Sequence, residues 1–327
     1  MAGLAFKVEA PKVNARAGVR IYTAQGRQTF VPVHLVRRED GYVAFPAPGD
    51  SGSITTLAYS EGFVEIPASK AFVEEGEQVE VRLFTEKLRL PDLVFVGGKC
   101  AGVYLIAEIL RAKHSDLNFK IIGLGSMGGL AALRRGEADI AGICLLDEKT
   151  GKYNVPFLEF YGLKGDVSLF RGYLRRWGLL VAKGNPKEIK SLEDILREDL
   201  KFIVPDRSLE ARALLDFHLR RLTEEHKIDF GKLAGKFETA SKLAIAMAVA
   251  EGKADVGFGD EILAERFNLD FIPVAEEEYD FAVRNDRLGR MPVQAFLSIL
   301  SSGEFREALT VRVRGLKPQP NIGEKIA

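Results

Sequence analysis

Two glycine-rich segments hold the residues best suited to chemistry. One reads Gly97-Gly98-Lys99-Cys100-Ala101-Gly102, the other Gly123-Leu124-Gly125-Ser126-Met127-Gly128. Each follows a short apolar run and opens a stretch whose apolar residues recur at helical spacing. A helix start carries unsatisfied N–H groups and about half a positive charge, and glycine lets a ligand approach the backbone closely. Gly125, Ser126, Met127 and Gly128 are therefore candidate anion contacts. Ser126 is expected to cap a helix over 127–135 and to offer its hydroxyl. A second start, Thr239-Ala240-Ser241, adds Thr239 and Ser241. Two such starts aimed into one cleft would trap phosphate, sulfate, molybdate or a carboxylate. A single start is equally a plain capped helix.

Other candidates sit at the carboxyl ends of strand-like runs, where open α/β sheets place ligands. They are Lys99 and Cys100, Tyr153 and Asn154, and Arg207 and Arg212 on either side of Ser208. Arginine is the side chain best matched to planar oxyanions. Cys100 at a helix start beside Lys99 would have an acidified thiol; a small buried hydrophobe is the competing reading. Arg171, Arg175 and Arg176 precede the strand-like WGLLVAK and read singly as surface charges, and Glu276-Glu277-Glu278 reads as a solvated run. Gly123-x-Gly125-x-x-Gly128, with Asp147 further on, also matches a dinucleotide fingerprint, which keeps an NAD-binding enzyme open as the alternative. Gly-x-Ser-x-Gly is absent, so a nucleophile elbow is not expected. No catalytic residue is assigned.

The elements that must position these residues fall into two kinds. Residues 11–85 carry short alternating stretches such as TFVPVHLV and QVEVRLF, with one helical turn at 53–60 opened by Ser51-Gly52-Ser53. That pattern predicts a small barrel or sandwich. From residue 91, strands alternate with helices, which predicts parallel α/β units. Within this half GGLAALRRGEADIAG resembles KLAIAMAVAEGKADVGFG, aligning Gly136, Ala138 and Asp139 with Gly252, Ala254 and Asp255. The repeat suggests two related lobes facing across a cleft.

The chain has 327 residues, room for two or three domains. Lys plus Arg and Asp plus Glu are both 46, a balance that speaks against a general nucleic-acid binder. The 2 cysteines and 4 histidines are scattered without zinc-ligand spacing, so no metal site is expected. With neither a secretory signal nor an apolar run long enough for a membrane span, the expected setting is cytoplasmic, with no membrane partner.

Two stretches resemble known families. GSMGGLAALRRGEADIAGICLLDEKTGKYNVPF, GLLVAKGNPKEIKSLEDI and LDFIPVAEEEYDF are similar to the cytoplasmic PBP-like domains, over roughly 91–315. Those domains have the fold of type II periplasmic binding proteins and are often described as molybdate-binding-like. The family's Gly-Ser-Gly-Thr-Arg segment is here Ser208-Leu209-Glu210-Ala211-Arg212, keeping only the arginine, and its Ser/Thr-His is here Ser241-Lys242. GRQTFVPVHL, PGDSGSITTLAYSEGFVEIP and EEGEQVEVRLF resemble the C-terminal barrel, domain IV, of the MoeA/gephyrin-like molybdopterin molybdenumtransferases, over roughly 8–85. That family's catalytic domain lies N-terminal to the barrel, so the chain is expected to be a fragment of a longer fusion or a partner of other cofactor-synthesis proteins.

The expected fold is multidomain: an all-β barrel at 1–88, then a two-lobed PBP type II-like α/β module at 89–327. Lobe one is expected near 91–175 plus 280–315 and lobe two near 176–279, with two crossovers as the hinge. The resemblances imply a non-catalytic module of molybdenum or tungsten cofactor biosynthesis. It would bind a small anion (molybdate, tungstate or a molybdopterin species) with no covalent cofactor. A full-length fusion could itself be a molybdenumtransferase, and a protein-interaction scaffold is the third reading.

Overall fold

The computed structural model describes residues 11–24, 26–47, 54–207, 209–226 and 237–327. In the N-terminal part alternate residues turn inward: in β5 (Gly62–Ile66) and β7 (Gln78–Leu83) every second side chain is buried. With β1 (Lys12–Ala17), β3 (Thr29–Arg38) and β4 (Gly41–Pro46) they close a barrel in the order β1-β4-β3-β5-β7. Closure removes the free sheet edges that a small all-β unit would otherwise expose. β2 (Ile21–Tyr22) and β6 (Phe72–Val73) form a short ribbon beside it. The helical turn is present as α1 (Ile54–Tyr59); its expected opening, Ser51-Gly52-Ser53, lies outside the described residues, as does Ser208.

Two α/β units follow, and the repeat explains their likeness. The first runs β8 (Leu93–Gly97), α2 (Ala101–Lys113), β9 (Phe119–Gly123), α3 (Gly125–Arg134) and β10 (Ile140–Ile143). The second runs β12 (Phe202–Pro205), α5 (Ala211–His226), β13 (Phe237–Thr239), α6 (Lys242–Ala250) and β14 (Val256–Asp260). The orders β9-β8-β10 and β13-β12-β14 are the same. Gly136 and Gly252, at φ 73° and 70°, leave each helix in the left-handed conformation that suits glycine. The aligned aspartates then do the same job twice. Asp139 accepts the Val94 N–H at 2.8 Å and Asp255 accepts the Lys201 N–H at 2.8 Å. Each carboxylate thus pins the neighbouring strand at its first residues.

Two long strands join the units. After α4 (Val155–Phe160), β11 (Val167–Val181) runs from the first unit into the second. After α7 (Glu261–Arg266), β15 (Asp270–Arg284) runs back antiparallel to it. β15 pairs with β10 and β11 pairs with β14, so eight strands of one nine-stranded sheet run in the order β13-β12-β14-β11-β15-β10-β8-β9. The chain ends with α8 (Met291–Ser301), α9 (Gly303–Arg312) and β16 (Leu316–Pro318), which pairs with β11.

This pairing corrects two expectations. Arg171, Arg175 and Arg176 lie within β11 rather than before it. Glu277 is almost wholly buried, not solvated. The reason is register: Arg175 stands opposite Glu277 and Arg176 opposite Glu276, and opposite charges facing across two strands support pairing.

The barrel is seated on the first unit. Val36, Val43 and Phe45 pack into one apolar cluster with Val94, Ile122 and Leu130. Around it Lys120 Nζ donates to Glu61 at 2.6 Å and to the Tyr59 carbonyl at 2.7 Å, and Arg135 donates to the Gly18 carbonyl at 3.1 Å. Among the described residues no helix is long and apolar enough to cross a membrane.

Candidate functional site between the two α/β units

Residues at alternate positions of a strand share a face. Tyr173, Arg175 and Trp177 on β11 therefore line up, and across from them stand Tyr279 and Glu277 on β15. Tyr173 and Tyr279 stack at 5.1 Å, and Trp177 stacks on Phe258 at 5.7 Å. Between the two stacks Arg175 Nε donates to Glu277 at 2.7 Å, and Trp177 Nε1 donates to the same oxygen at 2.7 Å. The guanidinium lies 5.2 Å from the Tyr279 ring centre and 5.6 Å from that of Trp177. Burial works against the Arg175 charge, but Cys144, Glu277 and Glu210 around it hold the guanidinium firmly protonated.

Three strand ends of the first unit converge above this floor. The β8 turn brings Gly98, whose carbonyl accepts the Tyr279 hydroxyl at 2.6 Å. The β9 turn brings Gly125 and Ser126, and β10 leads directly into Cys144. The Cys144 Sγ accepts from Arg175 Nη2 at 3.0 Å. Burial pushes the thiol well up against the opposing pull of Arg175, with Glu210 and Glu277 adding to the rise, so Cys144 remains a donor.

From the second unit Glu210, just before α5, reaches into this convergence. One carboxylate oxygen accepts the Ser126 backbone N–H, and the other accepts the Cys144 thiol at 3.1 Å. Burial favours the neutral acid, yet the Ser126 N–H, Arg175 and the thiol prevail and hold the Glu210 carboxyl below its usual range. The start of α3 thus holds an anion, and that anion is a side chain of the opposite unit. Gly125, at φ 71°, opens α3 with its missing Cβ only 3.2 Å from Glu210 Oε1. At Gly98 a Cβ would lie 3.6 Å from Glu210 Oε2.

The remaining candidates divide by what engages them. Ser126 does not cap α3: the helix begins at Gly125 with Leu124 at the cap position and no side-chain cap bond. Ser126 is instead buried inside the first turn, where its Oγ accepts the Cys144 N–H at 3.0 Å. Ser241 is a true cap of α6, accepting the Ala244 N–H at 3.3 Å, while Thr239 Oγ1 accepts from Ser241. Met127 is exposed and lines a cavity of about 460 Å³ with Cys144, Arg207, Glu210, Arg212 and Glu277. Arg212 is buried and committed to Asp216 at 2.7 Å, Glu238 at 2.7 Å and the Pro205 carbonyl at 3.1 Å. Asn154 is buried with its amide on Asp280 at 2.8 Å and its oxygen on the Leu145 N–H at 2.8 Å. Tyr153 sits near enough to Glu277 and Cys144 that burial and their charges push its phenol up.

Cys100 is buried in the apolar core at the start of α2, without a side-chain cap bond. The exposed Lys99 lays its stem where Gly123 has no Cβ, and a Cβ on Gly128 would meet Leu124. Asp147 accepts the Lys149 N–H at 3.1 Å within its own turn. Sequence reasoning missed Glu210, Cys144, Glu277, Trp177 and Tyr279 as members of the cluster. The one available signal was the acidic run in a chain that also carries Arg175-Arg176 ahead of an apolar strand. Among the described residues no group of three His, Cys, Asp or Glu is placed to hold a metal ion.

Comparison with known proteins bears on this arrangement. The family model described as a PBP superfamily domain matches residues 107–301, more than half of the chain. The chain belongs to the PBP-like domain family. The model of the MoeA C-terminal region, domain IV, matches residues 14–84. Uncharacterized protein YvgK of Bacillus subtilis (strain 168) is 32% identical over 190 residues, which is 57% of this chain and 59% of YvgK. The chain thus spans about three fifths of that relative. An uncharacterized Clostridium pasteurianum protein, encoded in the 5′ region of a 2Fe-2S ferredoxin gene, is 32% identical over 98 residues, 29% of this chain and 83% of that protein. Among solved structures, a protein from Clostridium perfringens ascribed to an ABC transporter's substrate binding, with phosphate bound, superposes with TM-score 0.51 at 12% identity. The match covers 69% of this chain and 99% of that one, and it supports the two-lobed binding-protein fold of the PBP-like part.

Proposed function

We propose that this chain is a ligand-binding module whose interlobe cleft takes a small anionic ligand, without turnover. The observation that carries the reading is the carboxylate held at the start of α3 by the Ser126 N–H and the Cys144 thiol. A seat that stabilises one buried anion has the donors and the local field to stabilise another. Membership of the PBP-like family supports binding over catalysis. The finer reading is that the ligand is molybdate, tungstate or a molybdopterin species and that the module serves cofactor synthesis in the cytoplasm. Its support is the domain IV match over the barrel that is packed directly on the first unit.

Titration calorimetry against molybdate, tungstate, phosphate, sulfate, molybdopterin and NAD tests both levels. Saturable binding of an anion, with none of NAD, is the expected result. Micromolar NAD affinity abolished by Gly125→Val would overturn the reading. Binding of phosphate or sulfate alone would remove its molybdenum part.

A further inference from the structure

We propose that Glu210 is a built-in occupant of the anion seat, a tethered carboxylate that an incoming anion must displace. The inference rests on the proposed function and deepens it, because it names the residue that sets affinity for the ligand. Glu210 uses the donors a ligand anion would use: the first-turn Ser126 N–H and the Cys144 thiol. It lies over Gly125 and Gly98, at distances an added Cβ would crowd at the first and touch at the second. The glycines therefore leave room for a bound group there, and Glu210 fills that room.

Charge makes the occupancy exclusive. Arg175, the buried cation beside the seat, is already matched by Glu277, so it does not balance both Glu210 and a second anion held on the same donors. Two like charges sharing one set of donors repel strongly at this depth. An anion therefore enters by exchanging with the Glu210 carboxylate, which moves out with the α5 start that carries it. The carboxylate also ties the two units together, since Ser126 belongs to the first and Glu210 to the second.

The test compares the wild-type chain with Glu210→Ala and Glu210→Gln, titrated with sodium molybdate and sodium phosphate by calorimetry. Thermal unfolding of each variant checks that it folds, and the glutamine variant keeps the side-chain volume if the alanine variant does not. Relief of an internal competitor predicts at least about tenfold tighter binding of whichever anion binds the wild type, about 1.4 kcal/mol. Binding that appears only in the variants supports the proposal equally. Unchanged or weaker binding in both folded variants overturns it, since Glu210 would then be a bystander or a ligand contact, and the anion-site reading would stand. Failure of both anions to bind any of the three proteins overturns the proposal and the anion-site reading together.

Discussion

Replacing the buried pair on the crossover strands should show strong non-additivity. Glu277→Leu removes the acceptor of both Arg175 Nε and Trp177 Nε1, each at 2.7 Å. The guanidinium is then left with Cys144 Sγ at 3.0 Å, a poor acceptor. Breaking one partner of a buried pair costs about 3–5 kcal/mol, because a charge is stranded. Arg175→Met strands the Glu277 carboxylate instead and should cost a similar amount. In the double variant no charge from this pair remains. Its residual cost is the orphaned Trp177 indole N–H, about 1–3 kcal/mol. The double variant should therefore lose less than either single, with a coupling far above the ~0.3–0.5 kcal/mol scatter of independent sites. Denaturant unfolding followed by tryptophan fluorescence measures this directly. Trp177 is the only tryptophan in the chain, so the signal reports the region of the pair rather than the barrel. Local reporting matters because a chain of several units need not unfold in one step. A double-variant loss equal to the sum of the singles would refute the argument.

Further predictions follow from the same contacts. Ser126→Ala should cost about 1–3 kcal/mol of stability by orphaning the Cys144 N–H. It should weaken anion binding less than twofold, because the backbone N–H stays in place; thermal unfolding and calorimetry on one variant read both. Asp139→Ala should destabilise more than Asp255→Ala, since Asp139 also pairs with Arg290 while the nearest cation to Asp255, Lys187, is 3.9 Å away. Parallel urea titrations decide it, and equal losses would contradict the ranking.

Burial raises the Glu61 carboxyl, but His34 and Lys120 outweigh it and hold the group below its usual range. A depressed carboxyl contributes stability above its unfolded pKa of about 4.3 and loses it as pH falls through the folded value. Scanning calorimetry should therefore show the advantage of wild type over Glu61→Gln to be full at pH 6 and to shrink below about pH 4. A gap that does not change with pH would count against it.

The fold was legible where local signals repeat. Gly-x-Ala-Asp occurs twice because each copy ends a helix at a left-handed glycine and pins a neighbouring strand with a carboxylate, both short-range demands. The site was less legible because its members meet only through long-range pairing. Arg175 and Glu277 are 102 positions apart, and Ser126 and Glu210 are 84 apart. A glutamate run looks solvated until the strand opposite it is known. Ser126 was singled out for its type and place, yet its role changed. Gly125 can enter the helix at positive φ, which moves the helix start two residues earlier and turns the serine inward. The cap expected from its hydroxyl became a bond to the end of β10.

Placing the buried charges on β11 and β15 has a mechanical consequence. Both strands pass from one unit to the other, so any relative motion of the units must bend or twist them near Arg175, Trp177 and Glu277. The register between the strands shifts at Phe170/Tyr173 and again at Trp177/Gly178, on either side of Arg175. Irregular pairing of this kind lets a ladder bend without losing all its bonds. A ligand drives such a motion only through contacts that differ between two arrangements of the units. The Ser126–Glu210 contact is of that kind, because its two ends belong to different units. Arg175 and Glu277 are not, because they face each other across paired strands and move together. The floor of the cleft thus supplies a fixed charge pattern, and under the exchange proposed above the Ser126–Glu210 contact at the α3 start is the one that would distinguish one arrangement from the other.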